Sequence, residues 1–120
     1  SIILSVTMQF PEGNPEKISK NMREFTNHRK NTQPSALYNA GSVFKNGDDY
    51  FAAELIENAG LKGYKIDGVR VSEKHSNFFI ADKDAKSSAL YKLVNFVKDS
   101  VFDKYRVNLQ EEIIFVGDFD

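Results

Sequence analysis

From Ala40 to Asn46 the chain reads Ala-Gly-Ser-Val-Phe-Lys-Asn, which sets a hydroxyl (Ser42), an ammonium (Lys45) and an amide (Asn46) on one short stretch. A hydroxyl donates and accepts, a lysine only donates, and an asparagine amide does either, so the trio suits an anionic, oxygen-rich ligand. Gly-Ser pairs also build ordinary turns, so these residues define a candidate and not yet a site. Composition removes other chemistries. The sequence has no cysteine, which excludes disulfides, zinc-thiolate centres, iron-sulfur clusters and thiol catalysis. Two histidines are too few for a dedicated transition-metal site. A net charge of -1 leaves no broad basic face for nucleic acid, so any positive patch must be local.

The elements that must position this stretch follow from periodicity and punctuation. Residues 2–10 alternate, with Leu4, Val6, Met8 and Phe10 on one face, and predict a half-buried strand ended by Pro11-Glu12-Gly13. Asn14 as N-cap and Pro15 at the first helical position open a helix to about Arg29, with Ile18, Met22 and Phe25 as one packed stripe. Residues 31–49 hold Asn, Thr, Gln, Pro, Ser and Gly without lasting period and predict a long loop, of the kind that often carries function. Asp48 or Asp49 then caps a short helix facing Phe51, Ala52, Leu55, Ile56 and Ala59 inward, and Gly60 stops it. Residues 64–71 read as one irregular strand in which Gly68 marks a bulge or a close backbone approach, and residues 77–81 as another. After a turn at residues 82–85, Leu90, Leu93, Val94, Val97, Val101 and Tyr105 trace the core stripe of the longest helix. A last strand is expected over residues 112–116, stopped by Gly117.

The predicted class is α+β: a small mixed domain with short antiparallel-type strands packed on two or three helices. With 120 residues, 41% apolar and 28% charged, the chain is one domain's worth of ordinary globular composition. No apolar run approaches the roughly 20 residues of a membrane-spanning helix, and no signal peptide opens the chain, so a cytoplasmic location is expected. Beginning at Ser1 inside an apolar run, the sequence is expected to be a piece of a larger protein or a chain trimmed of a tag.

Several ordered motifs together resemble a known family. They are Thr32-Gln33-Pro34, the Ala40–Asn46 stretch, Ala53-Glu54-Leu55-Ile56-Glu57-Asn58-Ala59-Gly60-Leu61-Lys62-Gly63, Val71-Ser72-Glu73-Lys74-His75-Ser76-Asn77-Phe78, and the terminal run at Glu112. In this order they resemble the C-terminal part of bacterial UDP-N-acetylenolpyruvoylglucosamine reductase, also called UDP-N-acetylmuramate dehydrogenase. The direct passage from the Ser42 loop to the Phe51 helix is similar to the second type of the family. The resemblance implies a flavoprotein oxidoreductase of peptidoglycan synthesis, and with it roles in cell-wall biogenesis, cell shape and the cell division cycle. NADPH reduces FAD, and the enolpyruvyl ether of the UDP-sugar is then reduced to UDP-N-acetylmuramate. It further implies that residues 1–10 are the strand leaving a preceding flavin domain and residues 11–120 the substrate-binding domain. The flavin would be bound mainly by upstream domains of the same protein, and the fragment alone would be inactive.

The resemblance also assigns roles. Hydride delivery to the alkene leaves carbanion character beside the carboxylate, which must be stabilised and protonated. Ser42 matches the family's proton donor, and Glu112 matches the glutamate that polarises the substrate carboxylate and the developing enolate. Asn46 matches a substrate-binding asparagine. Lys45 and Lys62 are candidate contacts for the diphosphate. His75 falls where another branch has a substrate-binding glutamine, and is otherwise a surface hydrogen-bonding histidine. Departures from the family pattern are Gly47 for proline, Asp67 and Val69 for a glycine and a small residue, Glu111 for proline, and Ile114 for a frequent arginine. The alternative function is a non-catalytic nucleotide-sugar or anion-binding module. A third reading, an interaction domain without a small ligand, requires Ser42, Asn46 and Glu112 to lie far apart.

Overall fold

The computed structural model describes residues 2–34 and 38–119. In chain order it comprises α1 (Pro15–Thr32), α2 (Ala52–Asn58), β1 (Lys65–Ile66), β2 (Val69–Val71), β3 (Phe79–Ala81) and α3 (Ser87–Tyr105). The strands form an antiparallel sheet in the order β1-β2-β3, so the α+β class holds.

Local signals make α1. The Asn14 side chain accepts from the Lys17 N–H at 3.0 Å, Pro15 opens the helix, Glu16 sits in the first turn and Arg29 and Lys30 in the last. The expected packing of its stripe does not occur: Ile18, Met22 and Phe25 are 48%, 64% and 68% exposed. Residues 2–10 are likewise exposed and form no strand among the described residues. Alternation only selects faces; a strand also needs a neighbour for its N–H and C=O groups, and here none pairs with it.

The packed body starts after residue 37. Val43, Phe44, Ile56, Val69, Val71, Phe79, Leu93, Val94, Val97, Val101 and Leu109 form one buried cluster, to which α3 supplies the continuous stripe read from its period. Residues 64–71 are a hairpin and not a single strand. Asp67 (φ 45°) and Gly68 (φ 89°) both adopt left-handed backbone at its tip, as a two-residue Asp-Gly turn requires. The pairs Lys65 with Arg70 and Ile66 with Val69 then follow. The tip lies against α3, where Asp67 meets Lys92 at 3.4 Å. Beyond β3, single bridges extend the sheet: Ser42 pairs with Phe78, and Phe44 with Glu111. The expected loop of residues 31–49 is therefore helical up to Thr32 and extended at residues 42–44; its residues 35–37 lie outside the described residues.

Two further expectations change. Neither Asp48 nor Asp49 caps α2; the Asn46 side chain accepts from the Ala52 N–H at 3.0 Å instead. Phe51, at the N-cap position, turns outward at 61% exposed rather than into the core. The run 112–116 forms no strand, because its backbone finds a partner only at the Glu111–Glu112 end.

Candidate functional site

The stretch carrying Ser42 is held in place by Asn77. The Val43 N–H donates to the Asn77 carbonyl at 2.9 Å. The Phe44 N–H donates to Asn77 Oδ1 at 2.9 Å, and Asn77 Nδ2 donates to the Phe44 carbonyl at 2.8 Å. A side-chain amide thus pairs with a buried peptide group as a neighbouring strand would, satisfying both its donor and its acceptor. On the far side the Lys45 N–H donates to the Gln110 carbonyl and the Glu112 N–H to the Val43 carbonyl, both at 2.8 Å. The Ser42 stretch is therefore clamped between the 77–78 and 110–112 segments. Gly41 enters it at φ 80°, which a side chain would strain.

Beside this clamp lies an open groove of about 380 Å³ lined by Ser42, Asn46, Phe51, Ala53, Glu54, His75 and Asn77. Three of the residues singled out from the sequence, Ser42, Asn46 and His75, converge on it from separate segments. Ser42 brings a hydroxyl with no side-chain partner among the described residues. Asn46 has committed its oxygen to capping α2, so its NH₂ is the group left for a ligand. His75 is set by a serine-centred turn: Ser72 Oγ accepts from the N–H groups of Lys74 and His75, at 3.2 and 3.3 Å. Ser76 Oγ ties the same loop to α2 through the Ala53 carbonyl at 2.5 Å. The groove thus brings hydroxyl, amide and imidazole groups together beside the Glu54 carboxylate, with no lysine or arginine in its lining.

The imidazole of His75 accepts from the Asn77 N–H at Nδ1 (3.3 Å) and meets the Phe78 ring edge-on. Burial lowers its pKa below the usual histidine value, with Lys62 adding to the effect and its own backbone hydrogen bond and Glu57 opposing it. The unfolded chain therefore takes up this proton first as pH falls. The His75 contribution to stability is expected to be flat above about pH 6.5, the ordinary histidine pKa, and to decline below it until the folded-state pKa is passed. Urea titrations of wild type and His75→Gln between pH 7.5 and 5 check this. The variant should lose the part of the slope that His75 contributes, and parallel curves would remove His75 as its source.

The remaining candidates stand outside the groove lining. The Lys62 ammonium is paired with Glu57 at 2.5 Å, so it is not a free cation. Lys45 is exposed and its ammonium has no acidic partner among the described residues. Glu112 is exposed too, and its backbone bond to Val43 puts it one residue across from Ser42. Of the departures, Asp67 and Val69 occupy the hairpin away from the groove, the latter buried in the core. Gly47 is covered by the Tyr50 ring and donates its N–H to the Tyr50 carbonyl at 3.1 Å, a bond that proline could not make. Sequence reasoning gave Asn77, Ser72 and Ser76 no role of their own, although all three lie in the Val71–Phe78 motif that carries the resemblance.

Fold and groove together define a small α+β domain with a polar groove at the edge of its sheet. Residues 33–116 match the family model described as UDP-N-acetylenolpyruvoylglucosamine reductase, C-terminal domain, and the chain belongs to that family. It is 42% identical over 117 residues to the UDP-N-acetylenolpyruvoylglucosamine reductase of Caldanaerobacter subterraneus subsp. tengcongensis, covering 98% of this chain and 39% of that protein. The reductase of Anoxybacillus flavithermus is 38% identical over 116 residues, covering 97% of this chain and 38% of that protein. A crystal structure of UDP-N-acetylenolpyruvylglucosamine reductase from Thermus caldophilus superposes with a TM-score of 0.72 at 30% identity, covering 85% of this chain and 35% of that one. The chain thus spans about two-fifths of the length of these curated relatives.

Proposed function

We infer that this chain is the substrate-binding and proton-donating domain of a reductase that converts UDP-N-acetylglucosamine enolpyruvate to UDP-N-acetylmuramate in the cytoplasm. The observation that carries the reading is the convergence of Ser42, Asn46 and His75 on one groove, beside the segment bearing Glu112. In this reading residues 1–10 lead out of a flavin domain and residues 11–120 form the substrate domain. The exposed stripe of α1 and the apolar alternation of residues 2–10 are the surfaces available to those upstream domains.

In this reading the flavin is held mainly by upstream domains of the same protein. The groove of this chain is open and lined by Ser42, Asn46, Phe51, Ala53, Glu54, His75 and Asn77. FAD, reduced by NADPH, belongs to the upstream domains and supplies the hydride there. What remains for this chain is charge and proton handling. The Asn46 NH₂ and Lys45 bind substrate oxygens; Ser42 donates its proton to the carbon next to the carboxylate; Glu112 faces the carboxylate and the developing enolate.

Titrating the chain with UDP-N-acetylglucosamine enolpyruvate while following backbone amide shifts tests the reading. Saturable shifts at Ser42, Asn46 and His75 are expected. Shifts confined to α1, or to the hairpin at Asp67, would overturn the assignment of the groove.

A further inference from the structure

We propose that Lys98, on α3 and remote from the groove, is a positioning residue that sets which way Glu112 faces, acting through its ion pair with Glu111. The proposal rests on the site reading above and adds a residue to it. From Leu109 onward the chain alternates: Leu109, Glu111, Ile113 and Phe115 turn toward the body, while Glu112, Ile114 and Val116 turn to solvent. Because burial alternates residue by residue along this run, a slip of one residue would turn Glu112 inward.

Little backbone pairing guards against that slip. The bridge between Phe44 and Glu111 is flanked by only the Lys45-to-Gln110 and Glu112-to-Val43 hydrogen bonds, and the run beyond forms no strand. Glu111 is a carboxylate in an inward row that is otherwise apolar. Lys98 Nζ donates to Glu111 Oε1 at 2.7 Å, with the two side chains 32% and 30% exposed. Burial alone would raise the Glu111 carboxyl; the Lys98 hydrogen bond, the residue's own backbone bond and the ammonium charge outweigh it and hold it below its ordinary value. Leaving a half-buried charge without its partner is costly, and a slipped register would separate Glu111 from Lys98. Ile113 and Phe115 hold the later residues of the row, Phe115 through edge contacts with Tyr91 and Phe119. Glu111 is the inward residue directly preceding Glu112, and it carries the only charge in this row.

The test uses the full-length reductase and measures its two half-reactions separately. Lys98→Met is expected to slow reduction of the enolpyruvyl substrate about 10- to 100-fold, as misplacement of a reacting group does, and to leave flavin reduction by NADPH unchanged. Lys98→Arg and the exchanged pair Lys98→Glu with Glu111→Lys should recover most of the loss. Four results overturn the proposal: a wild-type rate in Lys98→Met, equal loss in both half-reactions, no recovery in Lys98→Arg, or no recovery in the exchanged pair. Ser42→Ala, run alongside, separates the two levels. If Ser42→Ala is slow and Lys98→Met is not, only the positioning role fails; if Ser42→Ala is also fast, the site reading fails with it.

Discussion

Ser42→Ala in the full-length enzyme is expected to slow reduction of the enolpyruvyl substrate by about 10²- to 10⁴-fold, the range for losing a positioned general acid. That corresponds to about 3–5 kcal/mol of transition-state stabilisation. Flavin reduction by NADPH should proceed near its normal rate, because in the proposed function Ser42 serves only the substrate's proton. The structure gives the physical grounds. The hydroxyl has no side-chain partner among the described residues to compete for its proton, and its backbone is held on both sides, by the bridge to Phe78 and by the Val43 and Phe44 bonds to Asn77. Alanine removes the hydroxyl and keeps these backbone bonds, so binding should change less than turnover. Single-turnover kinetics with pre-reduced enzyme measures the step, and a rate close to wild type would take the proton-donor role away from Ser42.

The second large effect is structural. Asn77→Ala removes both hydrogen bonds to the Phe44 peptide, whose residue is 1% exposed and has no water to turn to. Each buried group left unpaired costs about 1–3 kcal/mol, so for two groups a total loss of about 2–6 kcal/mol is expected. That is a large fraction of a small domain's stability. Urea unfolding should show a lower midpoint with little change in slope. A loss under about 1 kcal/mol would mean that the backbone finds other partners and that Asn77 is not the clamp. The substitution should also loosen the Ser42 stretch, so a folded Asn77→Ala enzyme should lose activity although residue 77 has no assigned chemistry.

How much of this was legible in the sequence depended on how far apart the interacting residues lie. Asn14, Pro15 and Lys17 are close neighbours, and the start of α1 was readable from them alone. So was the buried stripe of α3, a repeat within one element. Residues 64–71 read as one strand when Gly68 is weighed alone as a bulge or a close backbone approach, although Asp67-Gly68 together is a turn signal. The α2 cap went to Asn46 and not to the nearer aspartates, since which side chain reaches the Ala52 N–H depends on how the intervening chain folds back.

By itself the sequence determined the α+β class, the start of α1 set by its local cap, and the chemical types of the candidate residues, with Ser42, Asn46 and His75 among them. Only the tertiary structure decided that these three share one groove, that Lys62 is taken up by Glu57, and that Asn77, 33 residues from Phe44, is the clamp. It also decided that residues 2–10 and 112–116, though alternating, form no strands. The reason is physical: periodicity and capping are settled among residues a few positions apart, whereas a buried peptide group or a half-buried charge is satisfied by whatever partner the folded chain brings to it.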